Sequence, residues 1–221
     1  MPKLKTRNFV IIGLGTFGTT VAKELSRFGN YVLGIDRDPV VVNRLANDLS
    51  QAVVADATNE AALRELGLDG YDVAVIAMGD DLESSIVSAI TVKMAGVPTV
   101  WAKATTKMHH RILTKVGVER VIHPEQEIGL HIAQMLHNPL VRDYVSLGNG
   151  FHLVNIVVPE RMAGKTLKEL DLFERFELRC VGLMQGSQFK GRDGDDATLE
   201  QNDRLMILGE RTNLRRFADT V

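Results

Sequence analysis

Cysteine is almost missing from this chain: Cys180 is the single thiol among 221 residues. One cysteine cannot close an intrachain disulfide or build a cysteine-rich metal site, which fits a reducing cytosol. Its expected role is to fill a strand. Long hydrophobic runs are missing too, and no apolar stretch approaches the about 20 residues needed to cross a bilayer. Residues Met1 to Asn8 are polar, so no signal peptide is expected. No charge sign dominates: 26 Lys and Arg stand against 28 Asp and Glu, a net charge of −2. Without a basic block or a helix-turn-helix pattern there is no footprint for nucleic acid. His109, His110, His123, His131 and His137 do not repeat at metal-ligand spacing with a carboxylate partner. The Gly-x-x-x-x-Gly-Lys-Ser/Thr loop is absent, and with it the lysine and magnesium clamp of nucleotide hydrolases. What remains, 45% hydrophobic and 24% charged, is the composition of an ordinary globular protein.

The most informative segment that is present runs from Val10 to Gly18. An apolar strand leads into Gly13-Leu14-Gly15-Thr16-Phe17-Gly18, and an amphipathic helix is predicted from Thr19 to about Phe28. In Gly-x-Gly-x-x-Gly the first glycine permits a tight turn, the second lets backbone approach a diphosphate, and the third lets helix pack on strand. The helix N-terminus then offers free N–H groups and its positive dipole end to phosphate. A second strand, Tyr31 to Ile35, ends in Asp36, 18 residues after Gly18, where a carboxylate can accept from ribose hydroxyls. The alternative is a glycine turn that serves packing alone.

Strand and helix then alternate. Further strands are predicted at Ala52–Ala55, Val73–Ala77, Thr99–Ala102 and Arg120–Ile122, with helices at about 39–49, after Thr58 to 66, 82–95, 108–116 and 125–136. These strands are continuous apolar runs, as expected when helices cover both faces of a parallel sheet. The fold class is α/β: a Rossmann-like, doubly wound parallel sheet followed by a second, smaller α/β domain. Asn138-Pro139 stops the last of these helices. The nucleotide domain is expected over 1–138, a linker with a strand or short helix over 139–149, and the second domain over 150–221. That domain is predicted to have strands at 151–158, 178–185 and 204–208 and helices at 166–170 and from about 213. Turns are expected at Gly186-Ser187 and 191–196.

Ligands of such sheets sit beyond the carboxyl ends of the strands. The candidate nucleotide-binding residues there are Gly13, Leu14, Gly15, Thr16, Phe17, Gly18, Asp36, Arg37, Asp56, Ala57, Thr58, Ala77, Met78, Gly79 and Lys103. Gly79 and Asp80 follow the fourth strand, where a glycine leaves room for a nucleotide. Lys103 can meet a phosphate or be a solvated lysine; Asp56 and Thr58 can line the site or cap a helix. Glu125 follows a strand and opens a helix, where an acid is favoured by the dipole alone. No catalytic residues are assigned.

Taken together, these residues resemble the regulator-of-potassium-conductance family. The likeness is carried by Gly13–Gly18, Asp36, Asp56-Ala57-Thr58 and Ala77-Met78-Gly79-Asp80. In the second half, Gly164-Lys165-Thr166-Leu167-Lys168-Glu169-Leu170-Asp171-Leu172 and the string from Leu199 to Gly209 resemble the companion domain of Trk and Ktr regulators. One nucleotide domain plus one companion domain looks most like a Ktr-type regulatory subunit of a bacterial potassium uptake system. The resemblance implies no enzyme but a sensor of ATP or ADP, in some members NAD or NADH. It would assemble as a homo-octameric ring of dimers on the cytoplasmic face of the membrane, bound to a separate potassium transporter subunit. It also implies that the helix at 125–136 crosses to a dimer partner, and that an acid like Glu125 joins a cation site shared between subunits. Many Ktr-type members carry arginine where this chain has Thr16. Some relatives bind cyclic di-AMP in the companion domain, and no motif here decides that. The rival reading is a small NAD-dependent oxidoreductase on the same fold.

Overall fold

The computed structural model describes residues 6–79, 81–137, 140–190 and 197–220. Asp80, the Asn138-Pro139 helix stop, the turn at 191–196 and the first five residues lie outside the described residues. Two compact units divide between Glu125 and Gln126.

In the first unit, β1 (Asn8–Ile12), β2 (Tyr31–Asp36), β3 (Gln51–Val54), β4 (Val73–Ile76), β5 (Thr99–Lys103) and β6 (Arg120–Ile122) form one parallel sheet, ordered β3-β2-β1-β4-β5-β6. Successive side chains of a strand point to opposite faces, and the helices cover both. Val10 and Ile12 enter one core with Leu63 of α3 (Glu60–Glu65), Ala89 and Val92 of α4 (Leu82–Met94) and Leu113 of α5 (Lys107–Lys115). Ile11 enters the other with Ala22 of α1 (Thr16–Arg27) and Val42 and Leu45 of α2 (Pro39–Leu45). The doubly wound sheet is therefore as expected. Two helix boundaries differ: α1 starts at Thr16, because Gly15 is its N-cap and the last glycine-turn residues already form its first turn, and α2 ends at Leu45 rather than about residue 49. The order also places the topological switch point between β1 and β4, where a crevice opens beyond the strand ends.

After α6 (Pro124–His137), the second unit holds a five-stranded antiparallel sheet ordered β10-β9-β11-β8-β7. Its strands are β7 (Val141–Gly148), β8 (Phe151–Val157), β9 (Arg179–Gln185), β10 (Gln188–Lys190) and β11 (Arg204–Glu210). The expected connecting segment is thus an edge strand over most of its length, paired with β8. Short α7 (Leu167–Leu170) and α8 (Leu172–Phe176) and the final α9 (Arg211–Ala218) pack on a core that includes Val154, Ile156, Leu205, Ile207 and Phe217. Thr166 and Glu169 form a reciprocal capping box on α7. Cys180 lies in β9, half-buried beside this core.

Candidate functional site

The three glycines between β1 and α1 differ in what surrounds them. Gly13 has φ +89°, and a Cβ there would lie 2.8 Å from Met78 Cγ. At Gly18 a Cβ would lie 1.9 Å from the Gly13 carbonyl oxygen, so the first turn of α1 rests on the glycine turn itself. At Gly15 a Cβ would meet nothing within 4 Å. The flank of Gly15 instead faces a cavity of about 690 Å³. As N-cap, Gly15 has no side chain to occupy the first-turn N–H groups, and α1 has no acid in its first turn. That end of α1 is open to an anion.

The cavity gathers Gly13, Gly15, Thr16 and Phe17 with Asp36 and Arg37 after β2. Asp56 and Ala57 join them after β3, Ala77, Met78 and Gly79 after β4, Lys103 from β5, and Glu125. Three expected residues do not line it. Leu14 sends its side chain into the core while its N–H donates to Asp36 Oδ2 at 2.7 Å. Gly18 serves helix packing, and Thr58 ties down Asp56. Asp36 Oδ1 accepts from the Asp38 N–H at 2.9 Å, so this carboxylate pins the glycine turn and β2 end while each oxygen keeps a second acceptor direction.

The charged groups are arranged before any ligand arrives. Asp56 Oδ1 accepts from the Thr58 hydroxyl at 2.7 Å and its N–H at 2.9 Å. These bonds hold the Asp56 carboxyl below its ordinary range, with the charge of Arg37 adding to them. The helix cap offered as the alternative for Asp56 and Thr58 is made by Asn59, which accepts from Ala61 and Ala62. Lys103 is only 12% exposed, so it is no solvated lysine; its Nζ pairs with Glu125 Oε1 at 2.5 Å. That hydrogen bond is the main reason the Glu125 carboxyl sits below its usual range. Gly79 lines the cavity, and a Cβ there would lie 2.9 Å from Lys103 Cε, so the missing side chain also makes room for the lysine.

Ile12, Thr20, Ile35, Ala55, Asp81 and Ser84 also line the cavity, although the sequence reading did not single them out. Ile12 and Ile35 belong to the ends of β1 and β2 and Ala55 follows β3, so the carboxyl-end rule alone points to them. Thr20 stands one turn after Thr16. Asp81 caps α4 by accepting from the Ser84 N–H and hydroxyl, and that capping pattern after β4 was a usable signal. Nearby, His109 is fully buried, with Nε2 3.2 Å from Ser85 Oγ and, among the described residues, no hydrogen-bond partner for Nδ1. Burial first, then the charge of His123, pushes its imidazole down. No three His, Cys, Asp or Glu gather into a possible metal site among the described residues.

Residues 9–124 match the TrkA-N domain family and residues 151–221 the TrkA-C domain family. The chain is 30% identical to the Ktr system potassium uptake protein A of Bacillus subtilis over 98% of both chains. It is 35% identical to the protein of that name from Vibrio alginolyticus over 96% of both. These relatives are named as potassium uptake proteins, not as enzymes. Among solved structures, the GsuK RCK domain superposes with a TM-score of 0.65 at 15% identity, covering 97% of this chain and 47% of that one. The TrkA-N domain of the Escherichia coli inner membrane protein ybaL superposes at 0.53 with 18% identity, over 60% of this chain and 98% of that one. A GsuK channel structure with a TM-score of 0.64 is described as bound to NAD. With a parallel sheet wound around a glycine turn, an antiparallel companion unit and both halves matched, this chain belongs to the TrkA-N/TrkA-C family that includes the Ktr potassium uptake proteins.

Proposed function

We propose that this chain is the nucleotide-sensing regulatory subunit of a potassium uptake system. The observation that carries the reading is the open helix end beside Gly15, facing a cavity large enough for a mononucleotide and flanked by Asp36, Arg37 and Lys103. An adenine nucleotide, ATP or ADP and in the alternative NAD or NADH, would place its α- and β-phosphates on the N–H groups at Gly15–Phe17. Its ribose would donate to Asp36, with the base toward Asp56 and Ala57. Thr16 cannot supply the charge that an arginine would bring to a terminal phosphate, which leaves Arg37 and Lys103 for that task. A 2′-phosphate would face the Asp36 carboxylate and be repelled.

Glu125 alone does not make a cation site, since its carboxylate already pairs with Lys103. A cation shared across a dimer would need the corresponding carboxylate of a second copy. No helix among the described residues is long and apolar enough to cross a membrane. Control of potassium flux then requires a separate membrane subunit, with this chain peripheral on its cytoplasmic face as a dimer or ring of dimers. Binding must also differ between two assembly states, because a ligand with equal affinity for both shifts nothing.

The test is potassium flux through a reconstituted Ktr-type membrane subunit with this chain added. Flux is expected to differ between ATP and ADP, and the difference to vanish with Gly15→Val. Equal flux with both nucleotides and without the chain contradicts the proposal.

A further inference from the structure

The second unit carries a separate cavity of about 280 Å³ on the sheet face beside α9. Strand register assembles its floor. Val141 lies opposite Ile156, Tyr144 opposite Val154, and Ile207 opposite Val154, so these side chains form one apolar patch across β7, β8 and β11. Val154, Ile156 and Ile207 are each at most 5% exposed. Phe217 of α9 closes one side. At eight residues α9 spans about 12 Å, and the hollow lies beside it.

Two cations stand over this apolar floor. Arg211 and Arg215 line the cavity from one face of α9, a single turn apart. Among the described residues neither guanidinium enters an ion pair. Asp219, one further turn along, also lines the hollow; its N–H donates to the Arg215 carbonyl, but among the described residues its carboxylate pairs with neither guanidinium, so two positive charges face one negative. The charge of Arg211 is felt inside the patch. Burial holds the imidazole of His152, which stacks on Tyr144, below its ordinary range, and Arg211 lowers it further. An apolar floor removes the body of a ligand from water, at about 25 cal/mol per Å² buried. Unpaired guanidinium groups at the mouth hold an anionic head through charge-assisted hydrogen bonds.

We propose that this hollow binds a small amphipathic anion: a carboxylate or phosphate head on a short apolar chain or ring. Its volume is less than half that of the glycine-turn cavity, which matches a smaller ligand. Gln134 and His137 of α6 also line it, so an occupant would bridge the last turn of α6, the sheet and α9.

Calorimetric titration of the full chain with octanoate, octyl phosphate, octanol and acetate tests this. Octanoate or octyl phosphate is expected to bind saturably at one per chain, more weakly at high salt, while octanol and acetate, each lacking one half of the ligand, do not. The tighter of the two anions tells a carboxylate site from a phosphate site. The double variant Arg211→Gln, Arg215→Gln changes exposed side chains, and is expected to lower affinity by about tenfold or more while leaving the melting temperature unchanged. Overturning results are no saturable binding of either anion, octanol binding as well as octanoate, or affinity unchanged in the double variant. Should that variant not fold, the salt dependence and the octanol comparison decide the matter alone.

Discussion

At the scale of single residues, the glycine turn divides into two positions that serve the fold and one, Gly15, whose flank is open. Gly13 has a positive φ and no room beside Met78, and Gly18 has no room beside the Gly13 carbonyl. Gly13→Ala and Gly18→Ala are each expected to lower stability by about 1–3 kcal/mol. Gly15 has an ordinary φ of −64° and open space where a Cβ would stand. Gly15→Val should therefore melt within about 1 kcal/mol of the parent in the absence of nucleotide. Chemical denaturation of the three variants checks the contrast, and equal losses at all three would contradict it. The tight turn at Gly13 and the close packing at Gly18 were legible in Gly-x-Gly-x-x-Gly because that spacing encodes backbone geometry. The Lys103–Glu125 pair was not legible: the two residues are far apart in sequence and meet only because β5 and the start of α6 end beside each other. For the same reason the room that Gly79 leaves beside Lys103 was not legible.

At the scale of elements, β1 to β6 were readable because strands buried on both faces are continuous apolar runs. The second unit was harder. β7 breaks register twice against β8 and leaves most of its side chains exposed, so its apolar alternation is interrupted and it read as a connection. β10 is three exposed residues at a sheet edge. α8 lies between Asp171 and Glu177, both at positive φ without being glycine, and gives no composition signal at either end. A pH test belongs at this scale too. His109 of α5 is buried against Ser85 of α4 and its imidazole is pushed down by burial. The unfolded chain therefore takes a proton at higher pH than the native one, so stability falls as pH drops below the ordinary histidine value of about 6.5. His152 adds to the same slope. The lowered carboxyls of Asp56 and Glu125 act below about 4.5, outside this window. Melting curves from pH 7.5 to 5.5 should show a decline that is shallower in His109→Gln. An identical slope in parent and variant would remove His109 from the account.

At the scale of the whole molecule, α6 points to assembly. None of its residues is buried, and Ile128, Leu130, Ile132 and Leu136 are exposed. The stripe at Ile128, Ile132, Met135 and Leu136 was legible from its helical spacing. Native mass spectrometry is expected to find a dimer or larger species in the parent and smaller ones in Ile132→Glu, which would bury an unpaired carboxylate in the contact. A monomeric parent at micromolar concentration would contradict the assembly. The proposed sensing function depends on a nucleotide seated against Gly15 with its ribose on Asp36. The most direct measurement is calorimetric titration of the parent and Gly15→Val with ATP, ADP, NAD and NADP. The account predicts saturable binding of ATP or ADP at one per chain, NADP at least about tenfold weaker than NAD, and no binding heat from any of them in Gly15→Val. NADP bound as tightly as NAD, or a Gly15→Val chain that titrates like the parent, would contradict it.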